Sequence, residues 1–206
     1  MSTPINTVIF DIGNVLVHLR FDRVYSRIRE KTALELHQIA ERMANDPNYY
    51  EHESGRMTSE EFFRLQAQAL EYSGTMEELI ACWRDHFLEP MHSTLEVARA
   101  LKQRGLQLAI ISNINPVHEE VMENFEFIGL FPVRVYSHLV GVMKPNPAIY
   151  HHAAARLKLV PESTVFIDDK PENIAAARAL GWQGIVMRPH HTDLAAELRA
   201  LGLDFL

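Results

Sequence analysis

Val8-Ile9-Phe10-Asp11-Ile12-Gly13-Asn14-Val15-Leu16 decides the fold. An apolar run stops on a carboxylate and a Gly-Asn turn, as a buried strand does when it delivers an acid to its C-terminal tip. In parallel α/β sheets, chemistry collects outside such tips. Two further runs end in the same way: Leu108-Ala109-Ile110-Ile111 gives way to Ser112-Asn113, and Thr164-Val165-Phe166-Ile167 to Asp168-Asp169. Three polar strand ends point to one shared site.

From Ser93 onward, helix and strand alternate. Strands are expected near 106–112, 133–137, 163–167 and 184–187, and helices near 93–104, 116–124, 147–158, 171–180 and 192–200. Pro116, Pro147 and Pro171 fall at first helical positions, where a missing N–H costs nothing. Right-handed crossovers then give a parallel sheet covered on both faces. Between the first strand and this repeat, residues 21–90 contain almost no β-branched runs and read as an all-helical insertion. Its helix starts are written as capping boxes, Thr32 with Glu35, Thr58 with Glu61 and Thr75 with Glu78, and a fourth, Ser93 with Glu96, opens the repeat. The expected architecture is an α/β, Rossmann-like three-layer core formed by 1–20 and 91–206, with a helical cap at 21–90 lying over the site.

Composition excludes several function classes. The 206 residues are 47% hydrophobic, enough for one substantial core. A net charge of −7 without a basic cluster argues against nucleic acid as a partner. No apolar run approaches the ~20 residues that span a bilayer, so neither a membrane nor a signal segment is expected, and a cytoplasmic location is. The single cysteine, Cys82, cannot form an internal disulfide and reads as a small buried hydrophobe.

The strand tips carry the chemistry. Asp11, Asp168 and Asp169 would repel one another without a cation, and an all-oxygen set suits a hard divalent ion such as magnesium, completed by water and a phosphate oxygen. No Cys/His set has zinc spacing. Opposite the acids, Lys144 and Ser112-Asn113, just before the helix that starts at Pro116, offer positive charge and directed donors to an anion. An anionic substrate bridged to a cation accounts for both halves.

With these motifs in order, Asp11-Ile12-Gly13-Asn14-Val15, Ser112-Asn113, Lys144-Pro145 and Asp168-Asp169 followed by Asn173, the chain resembles the haloacid dehalogenase-like hydrolase superfamily over essentially its whole length. Within it, the bacterial α-D-glucose-1-phosphate phosphatase group shares the Asp-x-Gly-Asn-Val motif and a cap segment like His52-Glu53-Ser54-Gly55. The resemblance implies a magnesium-dependent phosphatase acting on a small phosphorylated metabolite, a sugar phosphate such as α-D-glucose 1-phosphate, in a monomer or weak homodimer. It implies that Asp11 attacks phosphorus and forms an aspartyl-phosphate. It further implies that Asp11, the Gly13 carbonyl and Asp169 bind magnesium with Asp168 in or beside the shell. Ser112, Asn113 and Lys144 would hold the phosphoryl oxygens, and Asn173 would brace the last loop.

One departure stands out. Most phosphatases of the family carry a second Asp two residues after the nucleophile as general acid and base, and here that position is Gly13. His18, Asp22, His52 and Glu53, or a metal-bound water, are candidates to replace it, with His52 otherwise read as a surface residue. His151-His152 and His190-His191 lack ligand spacing and read as solvated. Two alternatives stay open: a haloacid dehalogenase, which would need no metal, and a non-catalytic binding or regulatory protein, for which Gly13 is the best argument. A mutase would need the missing acid.

Overall fold

The computed structural model describes residues 3–205. Strands β1 (Thr7–Phe10) and β2 (Val17–Leu19) precede five helices, α1 (Phe21–Arg29), α2 (Leu36–Ala44), α3 (Tyr49–Glu53), α4 (Ser59–Ala69) and α5 (Met76–Arg84). Strand β3 (Phe87–Pro90) then leads into α6 (His92–Gln103), β4 (Gln107–Ser112), α7 (Pro116–Met122), β5 (Val133–Tyr136) and α8 (Ser137–Val140). The chain ends with α9 (Pro147–Leu157), β6 (Thr164–Asp168), α10 (Pro171–Ala179), β7 (Gln183–Val186) and α11 (Leu194–Ala200).

Five strands form one parallel sheet in the order β5-β4-β1-β6-β7. The apolar runs are continuous because both faces are covered, and alternate residues serve opposite cores. Val8, Phe10, Leu108, Ile110, Val165 and Ile167 pack with α6 and α11, whereas Ile9, Ala109, Ile111 and Phe166 pack with α9 and α10. The α/β three-layer core is therefore as the sequence predicts. Strand β1 is central, and the chain builds outward from it to either side, which makes its C-terminal end the switch point where a crevice opens. Register places Phe10 opposite both Ile110 and Ile167, so Asp11 emerges between the ends of β4 and β6.

Helices α1 to α5 carry a separate apolar cluster in which Ile28, Ile39, Phe62, Phe63, Leu79 and Trp83 are buried, and Val117 of α7 joins it. Phe62, Phe63 and Trp83 meet edge to face, with centroids 5.2–5.6 Å apart, adding orientation to burial. Cys82 is buried in this cluster as a free thiol, as expected. Among the described residues no helix is long and apolar enough to cross a membrane.

The structure departs from the sequence reading in three places. The all-helical reading of 21–90 fails at its end, because Phe87–Pro90 forms β3 and pairs antiparallel with β2. The Thr32 hydroxyl donates to the Leu70 carbonyl at 2.7 Å, so it closes the end of α4 rather than capping α2. The α2 cap falls to Glu35, whose N–H donates to Gln38 Oε1. Ser93 lies inside α6, whose N-cap is Met91, held there by an N–H bond to the Leu16 carbonyl. Thr75 and Glu78 form the full reciprocal box, and Thr58 accepts from the Glu61 N–H.

Candidate active site

Asp11, Asp168 and Asp169 place carboxylate oxygens within 4.8 Å of one another. Lys144 reaches into the same space from the loop before α9. Its ammonium donates to Asp11 Oδ1 at 2.7 Å, Asp168 Oδ2 at 2.6 Å and the Ile111 carbonyl at 2.9 Å, using all three protons. Burial alone would lower the Lys144 pKa, but attraction to Asp11 and Asp168 outweighs it and holds the ammonium above the ordinary lysine value. Burial acts the other way on Asp11, raising it to about 6; Lys144 opposes the rise, and Asp168 and Asp169 add to it.

Each side chain is fixed by local structure. Asn113 clamps the Lys144 backbone on both sides, accepting from its N–H at 2.7 Å and donating to its carbonyl at 3.0 Å. Asn173, in the first turn of α10, donates to both Asp168 oxygens at 2.9 and 3.0 Å, and the Lys170 N–H adds a bond to Asp168 Oδ1. Asp168 thus lies within the acidic cluster but has its oxygens committed to Lys144, Asn173 and the loop. Asn14 holds Asp169 Oδ2 at 3.0 Å.

A cavity of about 200 Å³ opens over the strand tips. Asp11, Gly13, Ser112, Asn113, Lys144, Asp169 and Asn173 border it, so the structure brings these sequence candidates together. A larger cleft of about 870 Å³ between α2 and α4 is bordered by none of them.

Of the four candidates for the missing acid, only Glu53 borders the cavity. His18 stacks on His190 beside a different cleft. Asp22 is exposed and paired with Arg20. His52 corrects its surface reading: it is buried, stacked on Phe62 with centroids 4.1 Å apart, and bonded through Nε2 to Ser59. The contact that buries it is tertiary, so no local pattern announced it. His151, His152, His190 and His191 are exposed, as expected.

Sequence reasoning missed a polar chain behind Glu53. The Asn115 amide, at the N-cap of α7, donates to Glu53 Oε1 at 2.6 Å and lies 3.1 Å from His118 Nδ1, while its own oxygen accepts the His118 N–H. His118 Nε2 is 3.1 Å from the Trp83 carbonyl. These partners fix the neutral tautomer with the proton on Nε2, and burial keeps it neutral by lowering its pKa to about 3. A polar residue ahead of Pro116 was the one available signal, and it indicates a cap rather than a network.

The donor set is all oxygen and excessively acidic for the single buried cation it surrounds, which fits a hard divalent ion beside an anion. The sesquiterpene phosphatase AstK of Aspergillus oryzae is 28% identical over 207 residues, 98% of each chain. The D-ribitol-5-phosphate phosphatase of Bacteroides thetaiotaomicron is 23% identical over 87% of this chain and 90% of that one. In structure, a HAD family enzyme from Bacteroides thetaiotaomicron, in complex with magnesium and inorganic phosphate, superposes with a TM-score of 0.82 at 21% identity, covering 93% of this chain and 98% of that one. The haloacid dehalogenase-like hydrolase family matches residues 5–181, and the chain belongs to that family of hydrolases.

Proposed function

We propose that this hydrolase is a magnesium-dependent phosphatase of small phosphate monoesters, sugar phosphates such as α-D-glucose 1-phosphate foremost, working through an aspartyl-phosphate. The observation that carries this reading is the meeting, beside a small cavity that Asp11, Asp169 and Lys144 border, of three carboxylates with a buried lysine. The volume is below the ~300–1,000 Å³ of sites for drug-sized ligands, in keeping with a compact substrate. Residues 21–90 act in this reading as a cap closing the site on a core of 1–20 and 91–206.

Asp11 attacks phosphorus in line, splitting one displacement into two easier steps. Ser112, the Asn113 backbone and Lys144 hold the phosphoryl oxygens, where charge spreads in the transition state. Asp168 anchors Lys144, and Asn173 anchors Asp168. Asp11, Asp169 and the Gly13 carbonyl are the groups that would hold magnesium, which supplies charge neutralisation between the carboxylates and the phosphate.

A second reading concerns the leaving group. An adjoining cavity of about 270 Å³, lined by Phe21, Tyr25, Met43, Tyr49 and Trp83, shares Phe21 and Tyr49 with the first and favours an apolar tail such as a prenyl group.

The test is phosphate release with and without magnesium over sugar and prenyl monophosphates, beside Asp11→Asn. Metal-dependent turnover lost in the variant is the expected result. Release of halide from a haloacid without metal would favour a dehalogenase, and no turnover at all would favour a binding protein.

A further inference from the structure

Position 13 offers no carboxylate, and the Leu19 side chain stands against it. A Cβ added to Gly13 would meet Leu19 Cδ1 at 2.5 Å, and Leu19 itself borders the cavity, so a side chain at this position would have to turn that methyl group aside. Glu53, at the C-terminal end of α3, borders the same cavity. Apart from Asp11 and Asp169, it supplies the only carboxylate among the described residues that line the cavity.

Glu53 is bolted to the loop that would hold the phosphoryl oxygens. Its Oε1 accepts from Asn115, three residues after Ser112, and its backbone carbonyl accepts from the Ser137 hydroxyl, which in turn accepts the Ile114 N–H. A carboxyl fixed in this way keeps one position relative to phosphorus even though it arrives from a helix outside the core. From these contacts, and resting on the phosphatase reading, we infer that Glu53 is the catalytic acid and base, replacing a carboxylate at position 13.

In the first step Asp11 forms its bond to phosphorus, the bond to the ester oxygen breaks, and that oxygen takes the proton of the Glu53 carboxyl and leaves as an alcohol. In the second, water attacks the aspartyl-phosphate and gives a proton to the Glu53 carboxylate. The bond from phosphorus to Asp11 breaks, releasing phosphate and restoring the Asp11 carboxylate and the protonated Glu53. Burial is the largest influence on Glu53 and raises its pKa to about 7, against the Asn115 amide, the Lys170 charge and the Tyr49 hydroxyl, a value suited to giving and taking a proton near neutrality.

The experiment compares Glu53→Gln with the wild-type enzyme, in magnesium, on an alkyl or sugar phosphate and on p-nitrophenyl phosphate, whose leaving group needs no proton. The expected result is a loss of about 10²–10⁴-fold in turnover of the alkyl ester. The first-turnover burst of nitrophenolate falls by less than about tenfold and is followed by slow steady-state release, with phosphoenzyme recoverable by acid quench. Equal losses on both substrates in the first turnover, or no loss on either, overturn the assignment. If Glu53→Gln does not fold, the wild-type enzyme still decides: a shallow dependence of kcat/KM on leaving-group pKa supports protonation, and a steep one overturns it. Absence of any magnesium-dependent release from the wild-type enzyme overturns the phosphatase reading, and this inference with it.

Discussion

Lys144 satisfies two buried carboxylates at once, so its removal leaves Asp11 and Asp168 facing each other without a cation. Breaking a buried pair from one side costs about 3–5 kcal/mol, and Lys144→Met is expected to lose stability of that order in urea unfolding at pH 7.5 without metal. Adding Asp168→Asn should restore part of it, since one of the stranded charges is then gone; simple addition of two losses would show that the groups are not coupled. Glu53 makes a separate prediction, in which the sign is set by its raised pKa. The folded protein holds this proton more tightly than the unfolded chain, so the favourable contribution is whole below about pH 4.5 and is lost as pH rises through about 7. Glu53→Gln, which never ionises, should therefore match the wild-type protein near pH 5. It should exceed it by roughly 1–3 kcal/mol at pH 8, several degrees in Tm for a chain of this size. A variant less stable at pH 8 than at pH 5, relative to wild type, would contradict the buried, proton-binding state of this carboxyl.

At the scale of elements, the junction of α3 with α8 decides where Glu53 points. Gly55 has φ +70°, and a Cβ there would run into the His138 backbone carbonyl, so the close approach of these helices needs glycine for both reasons. His138 is itself held to the Ile114 carbonyl at 2.7 Å and to Glu119 at 2.8 Å, which makes yielding on its side costly. Gly55→Ala is expected to destabilise by at least about 1–2 kcal/mol and, if Glu53 is the acid as proposed, to lower kcat more than it raises KM, because Glu53 moves while the loop of Ser112 stays; thermal unfolding and steady-state kinetics check the two parts. The elements also show what a sequence can disclose. Strands buried on both faces and ending on Asp or Ser announce themselves, so the sheet and the gathering of Asp11, Ser112, Lys144 and Asp169 could be read from the chain. The ribbon of β2 and β3 could not, because three or four residues carry no periodicity and their partners lie some seventy residues away. Thr32 was misread for a related reason: its acceptor, Leu70, belongs to another helix. The contact from Asn115 to Glu53 spans 62 residues, and only the fold brings it about.

For the whole molecule, the central position of β1 makes the location of Asp11 a consequence of topology, and the helices from α1 to α5 complete the site through α3 meeting α8 and α5 meeting α7. Such a site couples ligand binding to global stability: whatever binds the folded carboxylate cluster and not the unfolded chain stabilises the fold by RT ln(1 + [L]/Kd). Magnesium at one hundred times its Kd should then add about 2.7 kcal/mol, which at about 2–4 °C per kcal/mol is a rise in Tm of roughly 5–10 °C. Inorganic phosphate added with the metal should raise it again, since an anion that meets both the ion and Lys144 removes the remaining charge imbalance. Among the described residues Asp169 has a side-chain partner for only one oxygen, in Asn14, whereas Asp168 is held on both sides, so Asp169→Asn should abolish most of the metal-induced rise while leaving the metal-free Tm nearly unchanged. Differential scanning fluorimetry of the two proteins across a magnesium titration reads this directly. An equal rise in wild type and Asp169→Asn would place the ion away from the strand tips and remove the electrostatic basis for the proposed mechanism.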